Sequence, residues 1–266
     1  MEKSGLSASP LSHFVARLRA AEVVYDPYPH YYLEHVFPTE YYQALLRHLP
    51  TSAAYENRPY VTLFELDHFQ SRVERRMSEG WTKNLPAELR EFWDSFNEWF
   101  LGPELAQAAL ESFAAPLRAR FGEGTPWPTV SAEADLVRHR AGYSLGPHSD
   151  WHTKIVVLLI YLAPDESALH LGTSLYRPKD RGFSCPVSKT HPFEDFVRVK
   201  TAPYKPNSLL AFLRSDVSFH GVEPLSEQDV TGSGGRDLIQ YVVHDKKARE
   251  DDSLAQRLAA EEEATA

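Results

Sequence analysis

The residues best placed to do chemistry are His148 and Asp150, in the phrase Pro147-His148-Ser149-Asp150. On a strand, side chains two apart leave the same face roughly 7 Å from each other, so this imidazole and carboxylate can converge on one ion. His220, in Phe219-His220-Gly221-Val222, follows the strand-like Ser208–Leu213 and can approach from a neighbouring strand. Two histidines and one carboxylate on one side of a cation leave three positions open, a set suited to divalent iron. Alone the pattern is weak, because the chain holds 12 histidines and turn-flanked strands carry polar residues on their surfaces anyway.

Arg236 changes that balance. Period-two alternation from Arg236 to Val243 puts Arg236, Leu238, Gln240 and Val242 on one face. A buried cation at the head of an otherwise apolar face needs a partner. A bound dicarboxylate would supply it; an ion pair with Asp237 or Glu223 is the competing reading.

These residues need elements to hold them. From 126 onward, proline and glycine punctuate short β-branched and aromatic runs at Leu136–Arg140, Ile155–Leu162, Ser208–Leu213 and Arg236–Val243, which read as strands. Ile155–Leu162 is eight apolar residues, the length of a central strand buried on both faces. Before 126 the chain reads as mainly helical. Leu11–Glu22 has helical spacing, a short strand fits Asp26–Pro38, Thr39 can cap a helix to about His48, and Tyr60–Leu66 is β-rich. Pro86–Phe121 reads as two helices divided at Gly102-Pro103, with Phe92, Trp93, Phe96, Trp99 and Phe100 as core at helical spacing. Residues 177–205 carry charges and prolines without periodicity and read as a long connection framing a pocket together with 51–85. The expectation is one domain: a helical support over 1–125, a β barrel or sandwich over 126–244, and a surface tail over 245–266.

Seven blocks then fall in order: Val137-Arg138-His139-Arg140-Ala141-Gly142, Pro147–Asp150, Leu159-Ile160-Tyr161-Leu162, Gly172-Thr173-Ser174-Leu175, Pro206–Phe212, His220-Gly221-Val222-Glu223-Pro224 and Gly235-Arg236-Asp237-Leu238. Together they resemble the prolyl-4-hydroxylase-like branch of the Fe(II)/2-oxoglutarate-dependent oxygenases. The resemblance implies an α+β, mainly β protein with a double-stranded β-helix (jelly-roll, cupin-like) core. It implies that His148, Asp150 and His220 are the catalytic iron ligands and that Arg236 binds the distal carboxylate of 2-oxoglutarate. Tyr161 matches a tyrosine that donates a hydrogen bond to that carboxylate, and His139 stands where the family commonly has a tyrosine, on the same cosubstrate. Fe(II), 2-oxoglutarate and O2 are the cofactors so implied. The carboxylate of Asp150, where related halogenases have a small residue, favours hydroxylation-type chemistry. The reaction implied is oxidation of an unactivated C–H bond of a small polar metabolite such as an amino acid, sugar or aminoglycoside-like natural product, with release of succinate and CO2. Hydroxylation, cyclisation, epimerisation and desaturation are all compatible with it. Trp151, Thr173, Arg214 and Gln240 are candidate substrate contacts. A protein or peptide hydroxylase, or a jelly-roll protein that binds metal or ligand without oxygenase activity, are the alternatives.

Composition narrows the partners. Lys+Arg 28 against Asp+Glu 37 gives a net charge of −9, which opposes a nucleic-acid or anionic-membrane binder. Val242 also stands six residues after Arg236, where nucleic-acid-repair relatives carry a second arginine. A single cysteine allows no internal disulfide and fits a reducing compartment. The first residues lack a charged n-region followed by an apolar stretch, so the expectation is a cytoplasmic monomer or homodimer.

Overall fold

Among the described residues ten strands form two antiparallel sheets, and the side-chain alternation decides which faces meet. The computed structural model describes residues 9–56, 71–230 and 235–253. The larger sheet runs β1 (His30–Glu34), β8 (Ser208–Leu213), β5 (Lys154–Tyr161), β10 (Arg236–Asp245), β3 (Val130–His139) and β2 (Arg72–Arg76). The smaller runs β4 (Leu145–His148), β9 (His220–Val222), β6 (Thr173–Pro178) and β7 (Phe196–Ala202).

β5 lies between β8 and β10 and is buried along seven of its eight residues, as a two-sided apolar run requires. Val156, Leu158 and Ile160 face one core, with Ile239, Tyr241 and Val243 of β10 beside them. Val157, Leu159 and Tyr161 face the other, with Leu238 and Val242. The first core is shared with helices α1 (Pro10–Arg19), α2 (Thr39–Arg47), α3 (Ala87–Phe100), α4 (Pro103–Glu111) and α5 (Ala114–Phe121). The second lies toward the smaller sheet and contains the cavity.

The aromatic run of α3 is core. Phe96 is fully buried, with Trp93, Trp99 and Phe100 ring centroids at 5.2, 5.1 and 4.5 Å. Phe96→Ala should therefore cost about 3–5 kcal/mol, the range for a buried phenylalanine that leaves a cavity. Denaturant unfolding at unchanged slope would measure it. A loss under 1 kcal/mol would mean that the helices are not one body with the sheet.

Several local expectations need correction. Thr39 is the first helical residue and Pro38 holds the cap position without a side-chain bond. Pro86–Phe121 forms three helices, not two, because the chain breaks again at Ser112-Phe113. Pro116 is the reason: it has no N–H to give and its ring opposes a carbonyl four residues back, so it is tolerated only in the first turn of a new helix. Residues 177–205 are not one long connection, since β6 extends to Pro178 and β7 occupies Phe196–Ala202. β7 is an edge strand with half its side chains in water, which hides the apolar alternation. The helical support region also gives two edge strands, β1 and β2, to the larger sheet. Residues 246–253 continue β10 as a helix. Tyr60–Leu66 and the tail beyond 253 lie outside the described residues.

Candidate metal centre and its cavity

His148 closes β4 and His220 opens β9, and the two are direct cross-strand partners. Gly221 permits this approach, because a Cβ there would lie 2.6 Å from the Leu145 carbonyl oxygen. The imidazole centroids are 4.2 Å apart, and His220 packs on Phe212 at 4.4 Å. Asp150 sits past the end of β4, in the turn before β5, so it joins the histidines through that turn and not through strand alternation. Ligand atoms of His148, Asp150 and His220 all lie within 4.8 Å of one another, and all three residues are buried.

Hydrogen bonds set the chemistry of this group. His148 Nδ1–H donates to the Gly146 carbonyl and His220 Nδ1–H to the Ser218 carbonyl, each at 3.1 Å. Both rings therefore carry their proton on Nδ1 and turn a basic Nε2 inward. Burial, reinforced by His220, pushes the His148 pKa down to about 3, and burial lowers that of His220, so both are neutral near pH 7. Burial works to raise the Asp150 carboxyl, but Lys154, His220 and His148 together hold it well below the usual carboxylate range. Its Oδ1 accepts from Lys154 Nζ at 2.5 Å. Its Oδ2 is buried without a hydrogen-bond donor among the described residues and lies 3.6 Å from His220 Nε2. Two neutral imidazoles and an ionised carboxylate with an unsatisfied buried oxygen fit a divalent cation.

Arg236 lies at the other end of the same cavity, which has a volume of about 590 Å³. It is 1% exposed and held from every side. Nε donates to the Leu171 carbonyl, Nη1 to His139 Nδ1 at 2.8 Å and Nη2 to Thr173 Oγ1 at 2.9 Å. Tyr161 and Tyr204 flank the guanidinium, at 5.4 and 5.6 Å from their ring centroids. All these partners are neutral, and among the described residues no carboxylate pairs with Arg236. Asp237 is turned to the opposite face of β10, where Arg138 grips it at 2.7 and 2.9 Å, and Glu223 pairs with Arg198. Gly172 lets β6 close on β7 here, since a Cβ would stand 1.8 Å from the Ala202 carbonyl oxygen.

The other candidates separate. His139 lines the cavity beside Arg236, accepts through Nδ1 and so carries its proton on Nε2, a buried atom with no partner among the described residues. Burial and Arg236 hold its pKa well below the usual value, which keeps it neutral. Tyr161 is fully buried and does not line the cavity; its hydroxyl accepts from Thr173 N at 3.1 Å and supports Arg236 from behind. Thr173 lines the Arg236 end, where its hydroxyl serves that guanidinium. Arg214 does not reach the cavity but binds the Asp150 carbonyl at 3.0 Å and the Pro186 carbonyl at 2.8 Å. Trp151 and Gln240 do line it; Trp151 Nε1 donates to Asp252 at 2.6 Å and Gln240 accepts from Arg72 at 3.2 Å.

Sequence reasoning missed the polar wall formed by Arg72, Arg76, Glu133, Asp135, His244 and Arg249. A signal existed for part of it. β3 begins at Val130, and extending its alternation backward puts Glu133 and Asp135 on the face of Val137 and His139. Of residues 177–205, only Ser188 lines the cavity among the described residues.

Comparison with solved structures places this architecture. A prolyl hydroxylase from Trichoplax adhaerens, solved in complex with a hypoxia inducible factor oxygen degradation domain peptide fragment, superposes with a TM-score of 0.50 and 13% identity, covering 90% of this chain and 91% of that one. A Pseudomonas putida prolyl-4-hydroxylase gives 0.49 at 13% identity, over 89% of this chain and 99% of that one. A 2OG-Fe(II) oxygenase family oxidoreductase from Burkholderia pseudomallei gives 0.45 at 12%, over 90% and 91%. No family model and no curated protein matches the chain. At 13% identity the first of these likenesses shows the fold alone, and that fold is the jelly-roll expected from the sequence.

Proposed function

We propose that the protein is an Fe(II)- and 2-oxoglutarate-dependent oxygenase that oxidises an unactivated C–H bond of a small polar molecule. The observation that carries this reading is a fully buried arginine without an anionic partner among the described residues, in one cavity with a neutral-imidazole and carboxylate ligand set. A metal-binding module would use the triad, but it would have no use for a buried uncompensated cation at the far end. A volume of about 590 Å³ suits a small substrate beside a bound keto acid.

In this reading His148, Asp150 and His220 hold the metal, while Arg236 and His139 bind the distal carboxylate of the keto acid. When bound, iron and 2-oxoglutarate supply the oxidation: O2 is consumed, the keto acid is decarboxylated to succinate, and a substrate C–H bond is oxidised. The planar guanidinium offers a carboxylate two parallel donors, and the Tyr161 and Tyr204 rings keep it from swinging. Thr173 and the Leu171 carbonyl fix its orientation. His139 adds an Nε2–H that has no other hydrogen-bond partner among the described residues. Arg214, holding the Asp150 carbonyl, positions the ligand carboxylate from outside the cavity. Val157, Leu159 and Val242 form an apolar wall that excludes water from the reacting centre.

The test is an anaerobic visible spectrum of the protein with Fe(II), before and after adding 2-oxoglutarate. The weak charge-transfer band of a chelated keto acid is expected. Its absence from folded, metal-loaded protein would overturn the reading in favour of a binding module. A peptide substrate is the second outcome to test, by succinate release with peptide and small-molecule panels side by side.

A further inference from the structure

Most cations of the cavity have carboxylates assigned to them, and the pairing singles out one lysine. Arg72 is held by the buried Glu74 at 2.9 Å. Arg76 pairs with Asp135 at 2.7 Å and with Glu133, which also takes Arg249. Lys154, at the start of β5 and four residues after Asp150, is different. Its Nζ pairs with Asp150 Oδ1 at 2.5 Å, and among the described residues this carboxylate is its sole anionic partner. Both side chains are withdrawn from water, at 16% and 8% exposure.

That partner is the one a divalent metal ion claims. Once the charge of Asp150 is shared with a dication, Lys154 is left as a largely buried ammonium beside the metal with too little counter-charge. Asp252, the remaining acidic lining residue among the described residues, is turned to Trp151 and His152 at the rim and does not reach Lys154.

We infer that Lys154 is the receptor for a carboxylate on the primary substrate, which is therefore a small carboxylic acid. This deepens the oxygenase reading and rests on it. An ammonium has three donors, so Lys154 can keep one on Asp150 and offer the others to the cavity. The substrate carboxylate, held there, brings its adjacent carbons between the metal ligands and the apolar wall of Val157, Leu159 and Val242.

The experiment uses wild type and Lys154→Met, a change close in volume, with circular dichroism to confirm folding. Each is titrated with Mn(II), then loaded with Zn(II) and 2-oxoglutarate so that no turnover occurs. Free L-α-amino acids, α-hydroxy acids and short aliphatic acids, each beside its own carboxamide, are then screened by ligand-detected NMR. Mn(II) should bind Lys154→Met about tenfold more tightly, because the competing ammonium is gone. At least one acid should bind wild type about tenfold or more better than its amide, and the variant should lose that preference. Silence of every acid, equal binding of acid and amide, or an unchanged preference in the variant would overturn the inference. Wild type that binds metal but not 2-oxoglutarate would instead remove the oxygenase reading, and this inference with it. Intact 2-oxoglutarate binding with an indifferent cavity would remove this inference alone.

Discussion

His220→Ala is expected to weaken Mn(II) or Fe(II) binding by about two orders of magnitude or more while the protein stays folded, since loss of even an outer partner of a metal ligand costs tenfold to a hundredfold. The imidazole is one of three donors whose ligand atoms lie within 4.8 Å of one another, and its Nε2 is the donor facing the unsatisfied Asp150 Oδ2. Truncation leaves two ligands, and the buried carboxylate keeps Lys154 as its partner. The scaffold should survive. β9 is held to β4 and β6 on either side through its backbone, and Phe212 loses only one ring contact. Calorimetric titration of wild type and variant would measure the loss, with thermal unfolding as the control. Metal affinity retained in a folded His220→Ala protein would remove His220 from the ligand set.

Arg236→Ala is the second large effect, and it should act on the other ligand. Here 2-oxoglutarate affinity is expected to fall by about a hundredfold, because a buried bidentate charge-assisted contact is lost, while metal affinity changes little. Arg236 bonds to Leu171, His139 and Thr173 and to none of His148, Asp150 and His220, so the two ends of the cavity are separable. Arg236→Lys should fall between, because a point charge keeps the attraction but loses the fork and the fit between Tyr161 and Tyr204. Equal losses of metal and 2-oxoglutarate binding in Arg236→Ala would show a general collapse of the cavity and contradict the separate roles.

Much of this was legible in the chain itself. The apolar run ending at Leu162 and the alternation from Arg236 mark strands because a buried strand shows its surroundings one residue at a time. β8 has the bounds Ser208–Leu213 in both the sequence reading and the structure. The alternation also put Arg236, Leu238, Gln240 and Val242 on one face, and all four line the cavity. The edge strands β2 and β7 were illegible for the converse reason. β7 leaves much of its length in water, and Arg72–Arg76 carries four charged residues in five that only ion pairs with distant segments withdraw from water, so neither shows an apolar alternation.

What the sequence by itself determined was local and periodic: which segments are buried strands, which face each side chain takes, and which residue types stand ready to hold a cation and a carboxylate. The tertiary structure decided the partners. The turn, not the strand, brings Asp150 to the histidines. Tyr161 lies behind Arg236 and Arg214 behind Asp150, although their types and positions suggested the cavity itself. Among the described residues Arg236 lacks an anion, its neighbour Asp237 being committed to Arg138, 99 residues away in the chain. Among the described residues Lys154 has only the Asp150 carboxylate, because Glu74, Glu133 and Asp135 already hold arginines from β2 and from the helix after β10 and Asp252 is turned to Trp151 and His152. Charge pairing between distant segments depends on through-space distance, which falls off within a few ångströms and leaves no periodic trace along the chain.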